Sequence, residues 1–213
     1  MKKLLPIALL IAASFGAQAA EFPDGKPVTI VVPFAAGGPT DRVARDLAEA
    51  MSRQLGGTPI VIDNAAGAGS TIGNAKVARA KNDGHTLLVT HVGMATTPVL
   101  YRKLSYNYET DFEYLGMIND VPMTLIGKPQ IEAKNLAELR DWIAKNPGKV
   151  NLGNAGVGSA SHLCGLLFQS ELKADMTTVP YKGTAPAIAD LLGGQIDLLC
   201  DQTTNTTSQI EAK

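Results

Sequence analysis

Val28-Thr29-Ile30-Val31-Val32-Pro33-Phe34-Ala35-Ala36-Gly37-Gly38-Pro39-Thr40-Asp41 holds a strand, a turn and a helix start in one short stretch. Val28 to Val32 is a continuous apolar and β-branched run, the mark of a strand buried on both faces in a parallel sheet, and Pro33 ends it. The glycine-rich turn Phe34 to Pro39 follows, and Thr40 is expected to cap a helix whose apolar positions are Val43, Leu47, Met51 and Leu55. Asp41 with Arg45, and Glu49 with Arg53, are i,i+4 ion pairs in the favoured order, and Gly56-Gly57 stops the helix.

The pattern repeats outward from there. Pro59 to Ile62 reads as a strand, Asp63 to Gly69 as a loop, and Ser70 as the cap of a helix running to about Ala80. Leu87 to Thr90 is a third strand, left by His91-Val92-Gly93. Strand, loop and helix in alternation imply βαβ units and a parallel sheet. Pro98 to Tyr114 is less regular, and Leu115 to Ile118 and Met123 to Ile126 read as strands at a crossing into a second lobe. There Asn135 and Glu138 form a capping-box pattern, and Val150 to Leu152, Thr177 to Pro180 and Ile196 to Cys200 read as strands. The expected division is residues 1–19 as a leader, 20–121 as the first lobe and 122–213 as the second.

The leader has the form of a secretory signal: positive Met1-Lys2-Lys3, an apolar run from Leu4 to Phe15, and Ala17-Gln18-Ala19 before the expected cut after Ala19. The run is too short to span a bilayer, and no later stretch is long and apolar enough, so no direct membrane insertion is expected. The net charge is −1, and losing Lys2 and Lys3 makes it more negative, which leaves no electrostatic footprint for nucleic acid. Cys164 and Cys200 would meet an oxidising compartment after export, so either a disulfide or two buried thiols fit the sequence.

Several strands exit into small polar loops that open helices: 34–41, 64–71, 153–161 and 201–205. A helix start offers unpaired N–H groups and the positive end of the helix dipole, so such loops can hold a carboxylate without Lys or Arg. Ordinary tight βα turns would look the same one at a time, and it is their recurrence in both lobes that favours a cleft. No enzyme chemistry stands out. Gly158-Ser159-Ala160-Ser161-His162 lacks the last glycine of G-x-S-x-G, and Gly67 to Gly73 places the third glycine of a dinucleotide loop one residue late. His85, His91 and His162 show no metal-ligand spacing, so no catalytic residue, metal or cofactor is expected. A secreted α/β hydrolase or transferase is the competing class, and a ligand-sensing module for a signalling partner is another.

These loops resemble the Bug receptors, the substrate-binding proteins of tripartite tricarboxylate transporters. The matching stretches are Val32 to Asp41, Gly67 to Gly73, Asp83 to Leu88, Gly158 to Leu163, Val179 to Ala187 and Asp190 to Asp197. The resemblance implies an α/β periplasmic-binding fold of the Venus-flytrap type, an expected monomer that takes a small carboxylate and delivers it to membrane permease subunits. It implies ligand contacts from Phe34, Ala35, Ala36, Gly37 and Gly38, with Asp41 read first as a helix-start residue and second as a group that orients the site. Ser70 and Thr71 beside Gly69 complete the set that the resemblance implies for the first lobe, and Thr90 and His91 join it from their place at the exit of the third strand. The loop Gly158 to Ser161, with Gly158, Ser159 and Ala160 foremost, and Asp201 and Thr203 are the second lobe's contacts, and Asp201 could pair the ammonium of an amino acid such as aspartate. Members of the family run on for roughly another third of their length, so an incomplete second lobe is expected, with exposed sheet edge and apolar surface.

Overall fold

The computed structural model describes residues 22–212. The leader and its cleavage site lie outside the described residues. The first sheet has strands β1 (Val28–Val32), β2 (Ile60–Asn64) and β3 (Thr86–Leu88), all parallel, in the order β2-β1-β3. Helix α1 (Pro39–Gln54) joins β1 to β2, α2 (Thr71–Ala78) joins β2 to β3, and α3 (Gly93–Leu100) follows β3. The first core forms where α1 lays Ala44 and Ala48 on Ile30 and Val32, with Leu47, Met51, Ile60 and Ile62 at its edge. Small residues at the centre of that face let the helix approach the sheet closely. A satellite cluster of Ala75, Met94 and Tyr106 with Leu88 and Phe112 gathers the irregular stretch after α3.

The second sheet has β4 (Met123–Gly127), β5 (Asn151–Asn154), β6 (Thr177–Pro180) and β7 (Leu198–Gln202), in the order β4-β7-β5-β6. It is mixed: β5 is parallel to β6 and β7, while β4 runs antiparallel to β7. Its helices are α4 (Leu136–Lys145), α5 (Ala160–Leu172), α6 (Thr184–Leu192) and α7 (Thr203–Glu211). β7 is buried on both faces. Leu198 joins Ile143, Val150, Leu152 and Met176, and Leu199 joins Ala187, Ile188, Leu191 and Ile196 on the other side, as the two-residue period of a strand requires.

Several local expectations shift. β2, β5 and β7 begin one or two residues later than read and run two residues further, and β3 begins at Thr86 and ends at Leu88 rather than Thr90. Helix α1 begins earlier than Thr40: Gly38 is its N-cap and Pro39 its first residue, where a missing N–H costs nothing. Leu115 to Ile118 form no strand. No neighbour pairs with them, Gly116 sits at φ +156°, and Leu115 and Met117 are 83% and 87% exposed. The capping box is present as read, with the Glu138 N–H donating to Asn135 Oδ1 at 3.0 Å.

Candidate functional site

Each sheet has a point where chain connections diverge to opposite sides of one strand. In the first sheet this is the end of β1, flanked by β2 and β3; in the second it is the end of β5, flanked by β6 and β7. Open α/β sheets bind ligands at such points. Here the two face each other. The gap between them is lined by Phe34, Gly38, Pro39, Thr40 and His91 from the first lobe, and by Met123, Ala155, Ala160, Ser161, Thr184, Asp201 and Gln202 from the second. The starts of α1, α5, α6 and α7 meet there, and among the described residues no Lys or Arg lines it. As closed, the gap has a volume of about 20 Å³, room for a water, so the lobes must part to admit a larger solute.

Two buried aspartates flank this gap and behave differently. Asp41 is 3% exposed. Its carboxylate accepts from the Gly37 N–H at 2.9 Å, from Arg45 Nε at 2.9 Å and from Asn64 Nδ2 at 3.0 Å. Burial pushes its pKa up, but those hydrogen bonds and the Arg45 charge outweigh burial and hold it below the ordinary 3.8. Asn64 also donates to the Phe34 carbonyl, so the trio fixes the shape of the 34–38 loop. Asp201 is 1% exposed and, among the described residues, has no cation paired with it. Asn205 Nδ2 donates to it at 2.6 Å. Burial raises its pKa above 3.8, against lowering by hydrogen bonds from Asn205, the Gln202 N–H and the Thr184 hydroxyl.

His91 stacks on Phe34, ring centroids 4.6 Å apart, and its Nδ1 accepts from the Gly93 N–H at 3.1 Å. Burial lowers its pKa from 6.5 to about 4, so the ring is neutral at pH 7. With Nδ1 accepting, we assign the proton to Nε2. Behind Asp201 the second lobe is tied covalently. Cys164 of α5 and Cys200 of β7 are bonded, Cα atoms 6.1 Å apart, and Ser161 Oγ donates to the Cys200 carbonyl at 2.5 Å.

Of the residues singled out in the sequence, Phe34, Gly38, His91, Ala160 and Asp201 line the gap. The others sit around it. The Ala35 N–H donates to the Lys182 carbonyl at 2.9 Å, and Gly37 gives its N–H to Asp41, while Ala36 continues the same turn. Gly69 lines a separate open cleft of about 520 Å³ with Tyr101, Val157, Tyr181 and Lys182. Ser70 is buried and accepts from Asn74 Nδ2, and Thr71 Oγ1 donates to the Ala68 carbonyl. Thr90 Oγ1 is buried without a partner. The Gly158 carbonyl accepts from Thr96, Ser159 caps α5 by accepting the His162 N–H, and the Thr203 N–H donates to the Pro122 carbonyl. Ser161, the end of the expected Gly158 to Ser161 loop, also lines the gap, while Thr40, Thr184 and Gln202 were missed; Thr40 and Gln202 lie in loops already singled out, and Thr184 opens α6 outside them.

Comparison with known proteins agrees with this geometry. The family model described as tripartite tricarboxylate transporter family receptor (TctC) matches residues 43–213. A UPF0065 protein of the ttuE–ttuC' intergenic region of Agrobacterium vitis is 48% identical over 209 residues, covering 97% of this chain and 60% of that protein. The structure of the periplasmic binding protein BugD superposes with a TM-score of 0.85 at 52% identity, covering 88% of this chain and 62% of that one. MatC from Rhodopseudomonas palustris, solved with bound malate, gives 0.83 at 40% identity, covering 90% of this chain and 65% of that one. The chain therefore spans about 60% of the length of the curated relatives it matches. The family and these neighbours are receptors and binding proteins rather than enzymes. With its two α/β lobes in the periplasmic-binding fold, the chain belongs to the tripartite tricarboxylate transporter receptor family.

Proposed function

We propose that this chain is the solute-capturing part of a periplasmic receptor that takes a small carboxylate and presents it to membrane permease subunits. Residues 20–121 form one lobe and 122–213 the other, with the leader removed after Ala19. The observation that carries the reading is the meeting of four helix starts from both lobes in one gap lined by no Lys or Arg. Main-chain N–H groups and the helix dipoles then supply the positive potential, and a neutral His91 adds one donor rather than a charge. The malate bound by the neighbour MatC fits this chemistry.

An acidic amino acid such as aspartate is favoured within that class. Asp201 is a buried carboxylate with no cation of its own, and an ammonium group would complete it. A dicarboxylate without an amine would meet a like charge there, or would require Asp201 to be protonated.

Thermal-shift screening of the chain tests both levels, with aspartate, glutamate, asparagine, malate, citrate and an aromatic acid as probes. A specific ligand at a hundredfold excess over its dissociation constant stabilises the fold by about 2.7 kcal/mol. A shift with aspartate that exceeds the shift with malate supports the finer reading. A melt that no carboxylate moves removes the carboxylate reading.

A further inference from the structure

Three hydrogen bonds cross between the lobes among the described residues, and all run in one direction. The donor is on the first lobe, and the acceptor is a backbone carbonyl on the second. The Ala35 N–H reaches the Lys182 carbonyl at 2.9 Å, Thr96 Oγ1 reaches the Gly158 carbonyl at 2.7 Å, and Tyr101 Oη reaches the Val157 carbonyl at 3.1 Å. Thr96 lies on α3 and Tyr101 caps its end, and neither lines the ligand gap.

The backbones themselves touch at the same edge. A Cβ on Gly69 would stand 1.9 Å from the Val157 carbonyl oxygen, and one on Gly156 would stand 3.1 Å from Gly69 Cα. No Cβ fits at Gly69 against Val157, so the backbones close together there and bring the 157 and 158 carbonyls within reach of Thr96 and Tyr101. The bonds exist in the closed arrangement and are lost in an open one. By linkage they bias the equilibrium toward closure, and a ligand held only by the closed form inherits that bias in its apparent affinity.

The geometry points to Thr96 and Tyr101 as a closure latch: positioning residues that set solute affinity through the 156–158 carbonyls without touching solute. This rests on the receptor reading above for its effect on affinity, but not for its effect on lobe separation. The latch is also selective for backbone shape. It grips carbonyls in a glycine-rich loop, so it operates whatever solute the side chains of the gap accept.

The test uses the 213-residue chain carrying spin labels on Asp46→Cys and Lys145→Cys, exposed positions on α1 and α4. Inter-label distances are measured by pulsed electron resonance, and affinity is measured with L-aspartate and L-malate as probes. Thr96→Val with Tyr101→Phe preserves shape and removes two donors. Its expected effect is a ligand-free distance distribution shifted toward longer separation, with about tenfold weaker binding of whichever probe the parent takes, mainly through faster release.

Gly69→Ala serves as a second variant at the same seam. Its methyl group would stand 1.9 Å from the Val157 carbonyl oxygen when the lobes close and 2.5 Å from Tyr101 Oη, so it acts on both sides of the latch, and the residue's φ of +58° adds backbone strain of its own. It should shift the distribution further in the same direction. Unchanged distances and affinities in both variants would overturn the latch. If neither probe binds the parent but the distances still lengthen, the latch stands and the carboxylate reading falls. A loss of affinity with unchanged distances would also overturn it, because the effect would then come from the solute site itself.

Discussion

The two jaws of the gap are held rigid by opposite means. In the first lobe the 34–38 loop is fixed by Asp41, Arg45 and Asn64, a set of charge-assisted hydrogen bonds anchored on one buried carboxylate. In the second lobe α5 and β7 are joined by the Cys164–Cys200 bond and the Ser161 hydroxyl, which leaves the neighbouring Asp201 without a cation. One aspartate is a finished structural part. The other is a buried carboxyl whose charged form is disfavoured until something positive arrives. A ligand-facing group has to be left incomplete in this way, and the disulfide lets the second jaw tolerate it.

The largest expected effect in this comparison comes from the covalent jaw. The bridge closes a sequence separation of 36 residues. Replacing both cysteines by serine should lower unfolding free energy by about 3–4 kcal/mol in urea melts on the loop-entropy account. A loss below about 1 kcal/mol would show that the bridge does not support the second jaw.

Next comes the ionic jaw. Asp41→Ala leaves the Gly37 N–H and the Asn64 amide without their acceptor and should cost about 2 kcal/mol. It should also weaken solute binding, since the loop that presents the start of α1 is released. Retained affinity in a correctly folded variant would mean that the loop holds its shape without the aspartate. Asp201→Asn, by contrast, should change stability by less than about 1 kcal/mol, because burial disfavours the charged carboxyl and the amide keeps its shape and an oxygen to accept from Asn205. Its effect should fall on selectivity, with aspartate losing affinity relative to malate. Equal losses for both probes would argue against an ammonium partner.

The smallest effect is in pH, and its sign separates the jaws. Asp41 has a lowered folded pKa, so its contribution is present above the ordinary 3.8 and is lost as pH falls through the lowered value. Asp201 has a raised folded pKa, so its contribution is present below 3.8 and is lost as pH rises through the raised value. His91 adds a loss of stability as pH falls from 6.5 through about 4, because the folded state disfavours the charged ring. Stability profiles of Asp41→Asn and Asp201→Asn should therefore depart from the parent on opposite sides of 3.8. Departures on the same side would erase the distinction drawn between the two carboxylates.

Much of the architecture was legible in the sequence, because apolar runs of four or five residues ended by Gly or Pro leave little choice. Val28 to Val32 and Thr177 to Pro180 are strands at the bounds read from sequence. The antiparallel partnership of β4 was not legible, since strand direction depends on where the chain returns and not on local pattern. The site was legible as a set of loops but not residue by residue. Arg45, four residues on, marked Asp41 as a paired carboxylate, but its second partner Asn64, 23 residues away, and the burial of Asp201 left no local trace. Tyr101 carried no signal either, because a contact with a carbonyl 56 residues further on leaves no trace in residue type.

The extended stretch from Glu113 to Pro122 is the single covalent passage between the two lobes among the described residues. Within residues 22–212 such a tether allows twisting as well as bending, so it does not by itself select one mutual orientation. Among these residues orientation falls to the non-covalent seam, and the exposed bonds around Leu115 and Met117 are where a protease would first cut.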